Sequence, residues 1–210
     1  MLNIADLRRE LNNQPTIICD VDEVVIEFLT PFRNFLNSLN LDLVSNSFAL
    51  HGNIIAKDTG GAVDDRTVSR MINELYANQL TWQTAVPTAA NTLHELSTTA
   101  NIVFLTAMPP EYYMQRRELL DSFDMPFPLF AAEGAKGPLI KQLTSYNKHA
   151  SFFIDDMVYN HKSSKEHSPE THSIHIMAND EFKAISPAVT SGTFEAENWL
   201  EIKDFIVGKI

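Results

Sequence analysis

Pro15-Thr16-Ile17-Ile18-Cys19-Asp20-Val21-Asp22-Glu23-Val24 is the stretch that decides how this chain is read. A short apolar run rich in β-branched residues, Thr16 to Cys19, ends abruptly in two acids, Asp20 and Asp22. A run without alternating polar positions fits a strand buried on both faces, as in a parallel sheet. The design recurs downstream. Asn101 to Leu105 (NIVFL) ends in Thr106, and Ser151 to Ile154 (SFFI) ends in Asp155 and Asp156. Pro128–Ala131 and Ser173–Met177 are weaker strands of the same kind. Helical patterns over 88–98, 110–123 and 138–146 separate them, the first behind Pro87 and the third with Pro138 near its first turn. A further amphipathic pattern covers 3–12, with Ile4, Leu7 and Leu11 on one face. Buried strands alternating with helices predict an α/β fold, a Rossmann-like doubly wound parallel sheet of about five strands.

One stretch breaks the alternation. Between about Phe28 and Ala85 the pattern is helical near 31–39 and again over 65–79. In the second, Val68, Met71, Ile72 and Leu75 keep helical spacing behind Asp64, a natural N-cap. His51 to Ala62 (HGNIIAKDTGGA) reads as a loop. The division expected is a core of residues 1–27 and 86–210 and a small α-helical cap, or lid, of residues 28–85. Lids of this sort exclude water and shape a pocket.

Composition narrows the class. The 210 residues are 44% apolar and 20% charged, enough apolar material for a sizeable core. A net charge of −11 disfavours an extended nucleic-acid footprint, which needs clustered Lys and Arg. It leaves room for a small anionic substrate, because a metal ion can supply positive charge locally. Cys19 is the sole cysteine, so no intramolecular disulfide forms. The first fourteen residues, MLNIADLRRELNNQ, lack a signal-peptide apolar run, and no window reaches the roughly 18 apolar residues of a membrane span. The expected compartment is the cytoplasm.

In open α/β sheets ligands bind at the carboxyl ends of strands, near the point where strand order reverses. A parallel sheet would bring Asp20, Asp22, Thr106, Asp155 and Asp156 to one edge, with Lys136 just before the 138–146 helix. Clustered carboxylates repel unless a cation joins them, and Mg²⁺ is a hard ion that shares its shell with phosphate oxygens. A carboxylate held against phosphorus attacks in line, and a second one protonates the leaving oxygen. A hydroxyl and an ammonium cradle the equatorial oxygens.

Asp20-Val21-Asp22-Glu23-Val24, Thr106, Lys136 and Asp155-Asp156 resemble the four ordered motifs of the haloacid dehalogenase (HAD) superfamily, most of whose members are phosphatases. The resemblance covers residues 16 to about 177. It implies that Asp20 is the nucleophile and a metal ligand. Asp22 would be the general acid/base, touching metal through its backbone carbonyl. Thr106 and Lys136 would hold phosphate, and Asp155 and Asp156 would complete the Mg²⁺ site. About thirty residues separate Thr106 from Lys136, so the long excursion precedes Thr106 and matches a helical cap between the first two motifs. Val24 stands where many members carry Thr, and Lys141 lies on the same helix as Lys136. A carboxylate at Asp22 favours phosphate chemistry over carbon–halogen cleavage.

The function expected is therefore a Mg²⁺-dependent phosphatase acting on a small phosphorylated metabolite, with a nucleoside monophosphate as one option. The alternatives are a phosphotransferase or phosphomutase using the same site, and a catalytically silent binding module of the same fold. Other signals have plainer readings. Cys19 reads as a packing residue. His161, His167, His172 and His175 match no compact zinc spacing and read as a solvated loop entering a last strand. Lys57, Arg66 and Arg70 in the lid are candidate anion contacts, although Arg66 and Arg70 are spaced to pair with Asp65 and Glu74. Phe28, Phe32, Phe35 and Phe48 read as lid packing.

Overall fold

The computed structural model describes residues 4–132 and 134–210. The first helix, α1, spans Ile4–Glu10; the expected start at Asn3 lies outside the described residues. Six parallel strands follow: β1 (Thr16–Cys19), β4 (Asn101–Thr106), β5 (Leu129–Ala131), β6 (Ser151–Asp155), β7 (His172–His175) and β8 (Phe194–Glu195). Their order is β5-β4-β1-β6-β7-β8. β1 pairs with β4 on one side and β6 on the other, so the ends of these three strands share one edge.

The parallel sheet expected at about five strands has six. β8 is two residues long, too short for any period to show in the sequence. Along each central strand alternate residues feed opposite faces. Ile17, Cys19, Phe152 and Ile154 enter one apolar core, and Ile18 and Phe153 enter the other with Leu7, Ile140 and Leu143. Both faces are dry, which is why these strands carry no polar alternation.

Helices α5 (Ala89–Ser97), α6 (Tyr113–Ser122, after a 3₁₀ turn at Pro110–Tyr112), α7 (Gly137–Thr144) and α8 (Val158–His167) make the crossovers. Two helices, α9 (Asp180–Lys183) and α10 (Trp199–Val207), have no counterpart in the sequence reading. Asn198 caps α10 through Leu200 and Glu201, and buried Trp199 donates from Nε1 to the Val24 carbonyl at 3.0 Å. The last helix thus braces the acidic loop.

Residues 28–85 contain α2 (Leu29–Ser38), α3 (Asp65–Ala77) and α4 (Gln79–Trp82). Asp64 caps α3, accepting from the Thr67 N–H at 3.0 Å. The segment is not wholly helical, however. β2 (Leu41–Leu43) pairs antiparallel with β3 (Ile54–Ala56), which lies inside the stretch expected to be a loop. Three-residue strands escape periodicity, and side-chain bonds shape the connection: Asn53 donates from Nδ2 to the Ser47 and Ala49 carbonyls, each at 2.8 Å. Phe32, Phe35, Leu36, Leu43, Ile54 and Leu75 share one apolar cluster, joined by Met177 and Phe182 from the far end of the chain.

Gly137 opens α7 where it crosses α8. A Cβ there would collide with the Ser163 backbone carbonyl, while the Gly137 N–H donates to Ser163 Oγ at 3.2 Å. Gly137→Ala is expected to cost about 3 kcal/mol by overpacking, lowering Tm by about 6–12 °C in a chain of this size. An unchanged melting curve would contradict this close approach.

Candidate active site

The end of β1 runs into a tight loop. The Asp20 N–H extends the sheet by donating to the Ile154 carbonyl at 2.8 Å. The Val21 carbonyl then accepts from Val25 and Ile26 at 3.0 and 2.9 Å, and Glu23 takes a left-handed backbone (φ 59°). Glu23 is buried, and its Oε1 accepts the Phe28 and Leu29 N–H groups at 2.8 and 2.6 Å. One acid therefore ties the loop to the start of α2. Sequence reading missed this role, although an acid ahead of a helix is a visible capping signal.

Lys136 immediately precedes α7 and is buried. Its Nζ lies 2.6 Å from Asp20 Oδ1 and 2.7 Å from Asp155 Oδ2. Lys141, the other candidate on this helix, is exposed. Asp155 is fully buried and further held by the Met157 N–H at 2.8 Å and by Asn160 Nδ2 at 3.0 Å. One carboxylate oxygen from each of Asp20, Asp155 and Asp156 lies within 4.8 Å of the others. No hydrogen bond among the described residues reaches the Asp156 carboxylate. Thr106 is buried at the end of β4, its Oγ1 accepting from the Met108 N–H at 3.3 Å. Asp20, Asp22, Thr106, Lys136 and Asp156 all line one chamber of about 370 Å³.

The Asp22 side chain lines the same chamber but stands outside the cluster of Asp20, Asp155 and Asp156 carboxylates. Asp22 Oδ1 accepts from Arg116 Nη2 at 2.9 Å and Gln83 Nε2 at 3.1 Å, and the Tyr76 hydroxyl donates to Oδ2 at 3.4 Å. Arg116 is fully buried on α6, with Gln79 accepting from its Nε. A buried guanidinium needs an acid, and Asp22 is the one in reach. Nothing in the local sequence marks Arg116, because an inward-facing Arg and a solvated one look alike.

Electrostatics follow burial. Desolvation pushes the Asp20 carboxyl up to about 7, opposed by Lys136 and helped by Asp155. Desolvation also lifts Asp156 well above the usual carboxylate range, with Asp155 and Asp20 adding repulsion. Burial works against the charge of Lys136, but Asp155 and Asp20 outweigh it and raise its pKa. Cys19 is pushed well up by burial and by the neighbouring Asp20 charge, so its thiol is inert packing.

The histidines correct the sequence reading. His161 and His175 are buried on α8 and β7, not solvated. His161 Nε2 meets the Asp155 carbonyl at 3.0 Å and His175 Nε2 meets the Asp156 carbonyl at 2.9 Å. Burial lowers both pKa values, giving neutral imidazoles that donate to the backbone of the two acids. Within residues 28–85, Lys57, Arg66 and Arg70 are exposed and do not line the chamber. His51 meets Ser69 Oγ at 3.0 Å, and Trp82 packs edge-on against Phe35. Phe28 and Phe48 face the chamber as well as the apolar cluster around Phe32 and Phe35.

The donor set suits a hard cation. Three buried carboxylates with a single ammonium leave surplus negative charge, and no described residue donates to the Asp156 carboxylate. An oxygen-liganded divalent ion would balance that surplus.

No protein-family model and no curated protein sequence matches this chain. Solved structures do. A HAD-like family hydrolase from Streptococcus pneumoniae aligns over 92% of this chain and 98% of its own, at 13% identity and TM-score 0.60. A HAD family hydrolase from Deinococcus radiodurans R1, with bound phosphate and sodium, aligns over 92% and 95% at 12% identity and TM-score 0.61. A subfamily IA HAD-superfamily hydrolase from Geobacter sulfurreducens aligns over 92% and 97% at 14% identity and TM-score 0.61. The fold is HAD-like, with a parallel Rossmann-like sheet.

Proposed function

We propose that this protein is a Mg²⁺-dependent phosphatase that hydrolyses a small phosphomonoester through a covalent aspartyl-phosphate on Asp20. The observation that carries the reading is the meeting of Asp20, Lys136, Asp155 and Asp156 at one sheet edge, beside Thr106. Structural neighbours that are HAD hydrolases, one of them binding phosphate, support it.

Asp20 attacks phosphorus, the ester P–O bond breaks, and Asp22 gives its proton to the leaving oxygen. Water then attacks the phosphoryl group, Asp22 takes its proton, and the Asp20–phosphorus bond breaks. Lys136 and Thr106 hold the equatorial oxygens. Asp20, Asp155 and Asp156, with the Asp22 backbone carbonyl, would hold Mg²⁺. When bound, Mg²⁺ supplies charge stabilisation at the transferring phosphoryl group. Residues 28–85 act as the cap over this site. The working compartment in this reading is the cytoplasm, which a single cysteine left as a free thiol suits. The substrate class is a small phosphorylated metabolite, with a nucleoside monophosphate as one option within it.

Phosphate release from 4-nitrophenyl phosphate is expected with Mg²⁺, to be lost in EDTA and to return on adding Mg²⁺. At a hundredfold excess over its Kd, Mg²⁺ should raise Tm by about 5–10 °C. Release that falls when acceptor alcohols are added would mark a phosphotransferase. Neither turnover nor a thermal shift would leave a silent module.

A further inference from the structure

We propose that the chamber selects phosphate esters of small, uncharged, apolar ring-bearing alcohols, which sharpens the phosphatase reading and rests on it. Away from the acids the wall is apolar: Phe28, Phe48, Leu50 and Ile72 from the lid side, Met177 and Phe182 from the core side. Its volume of about 370 Å³ suits a phosphate plus a body of about one ring, near the small end of ligand pockets.

Charge excludes other bodies. Lys136 is the one basic side chain lining the chamber among the described residues, and Asp20 and Asp155 already hold it. Asp22, Glu23 and Asp156 line the same space. A substrate carrying a second phosphate or a carboxylate finds no cation for it and meets like charge. Hydrogen bonding excludes more. The Tyr76 hydroxyl is turned to Asp22, Asn160 Nδ2 to Asp155, and the Ala49 carbonyl to Asn53, while the buried oxygens Glu23 Oε2 and Asn160 Oδ1 have no partner and can only accept. Among the described residues that line the chamber, Tyr159, half exposed at the rim, keeps a hydroxyl not bonded within the protein. Acceptor groups, such as the carbonyls of a nucleobase edge, would lose water and find few donors, and sugar hydroxyls would find acceptors only at Glu23, Asn160 and the acids. This ranks nucleoside monophosphates below apolar esters.

The test compares esters of ordinary alcohols, so that leaving-group reactivity stays similar: benzyl and cyclohexylmethyl phosphate against glycerol phosphate, phosphoglycolate and thymidine 5′-monophosphate, in Mg²⁺. The two apolar esters are expected to lead in kcat/KM by at least about tenfold. Ile72 sits on the lid wall, half-buried on α3, and Ile72→Arg should narrow the gap between benzyl phosphate and phosphoglycolate by at least about tenfold by supplying the missing cation. Equal or inverted rates in the unmodified protein, with 4-nitrophenyl phosphate still hydrolysed, would overturn this selectivity and leave the phosphatase reading intact. Failure on every ester, 4-nitrophenyl phosphate included, would overturn both.

Discussion

Asp20→Asn is expected to lower Mg²⁺-dependent turnover of 4-nitrophenyl phosphate by at least about 10⁴-fold. The amide keeps the shape of the side chain but is no nucleophile toward phosphorus, so the covalent intermediate cannot form. The fold should survive, because the swap is isosteric and Lys136 keeps Asp155 at 2.7 Å. A second readout comes from pH. Burial raises the Asp20 pKa from 3.8 to about 7, so without metal the folded protein binds more protons than the unfolded chain across that window. Stability of the chelated protein should therefore fall as pH rises from about 4 to about 7. The Asn variant, lacking that proton site, should show a shallower fall in Tm. Full activity in the variant would remove Asp20 from the chemistry.

The second large effect is expected at Lys136. Lys136→Met fills similar space but removes the one cation between two buried carboxylates. Breaking a buried ion pair from one side costs about 3–5 kcal/mol, since the partner charges stay buried and uncompensated. Urea unfolding in EDTA should show that loss. Mg²⁺ should recover part of it, because a divalent ion neutralises the same acids. Turnover should still drop about 10²–10³-fold, as when a preorganised donor to the transition state is lost. If the urea midpoint in EDTA did not move, the Lys136 bridge to Asp20 and Asp155 would be refuted.

Much of this arrangement was legible from local pattern. Thr16–Cys19, Asn101–Thr106 and Ser151–Asp155 show as strands because both their faces are buried and nearly every position is apolar. In a parallel sheet each must end at the same edge, which gives Asp20, Thr106 and Asp155 a common neighbourhood before any coordinates exist. The short pieces were not legible. β2, β3 and β8 run two or three residues, less than one readable period. Buried polar residues stayed hidden as well. Arg116 on α6 and His161 on α8 sit in helices whose sequences are largely polar, so nothing local separates an inward side chain from a solvated one.

The sequence by itself determined the alternation of strands and helices, the acids at the strand ends and the long excursion before Thr106. Only the tertiary structure decided which charges are buried and with whom: Lys136 between Asp20 and Asp155, Arg116 against Asp22, and two neutral imidazoles on the carbonyls of Asp155 and Asp156. The division has a physical cause. Backbone pattern is set by neighbours a few residues apart, whereas a buried charge is tolerated only when a partner arrives from a distant segment, as Arg116 does for Asp22 across 94 positions of the chain.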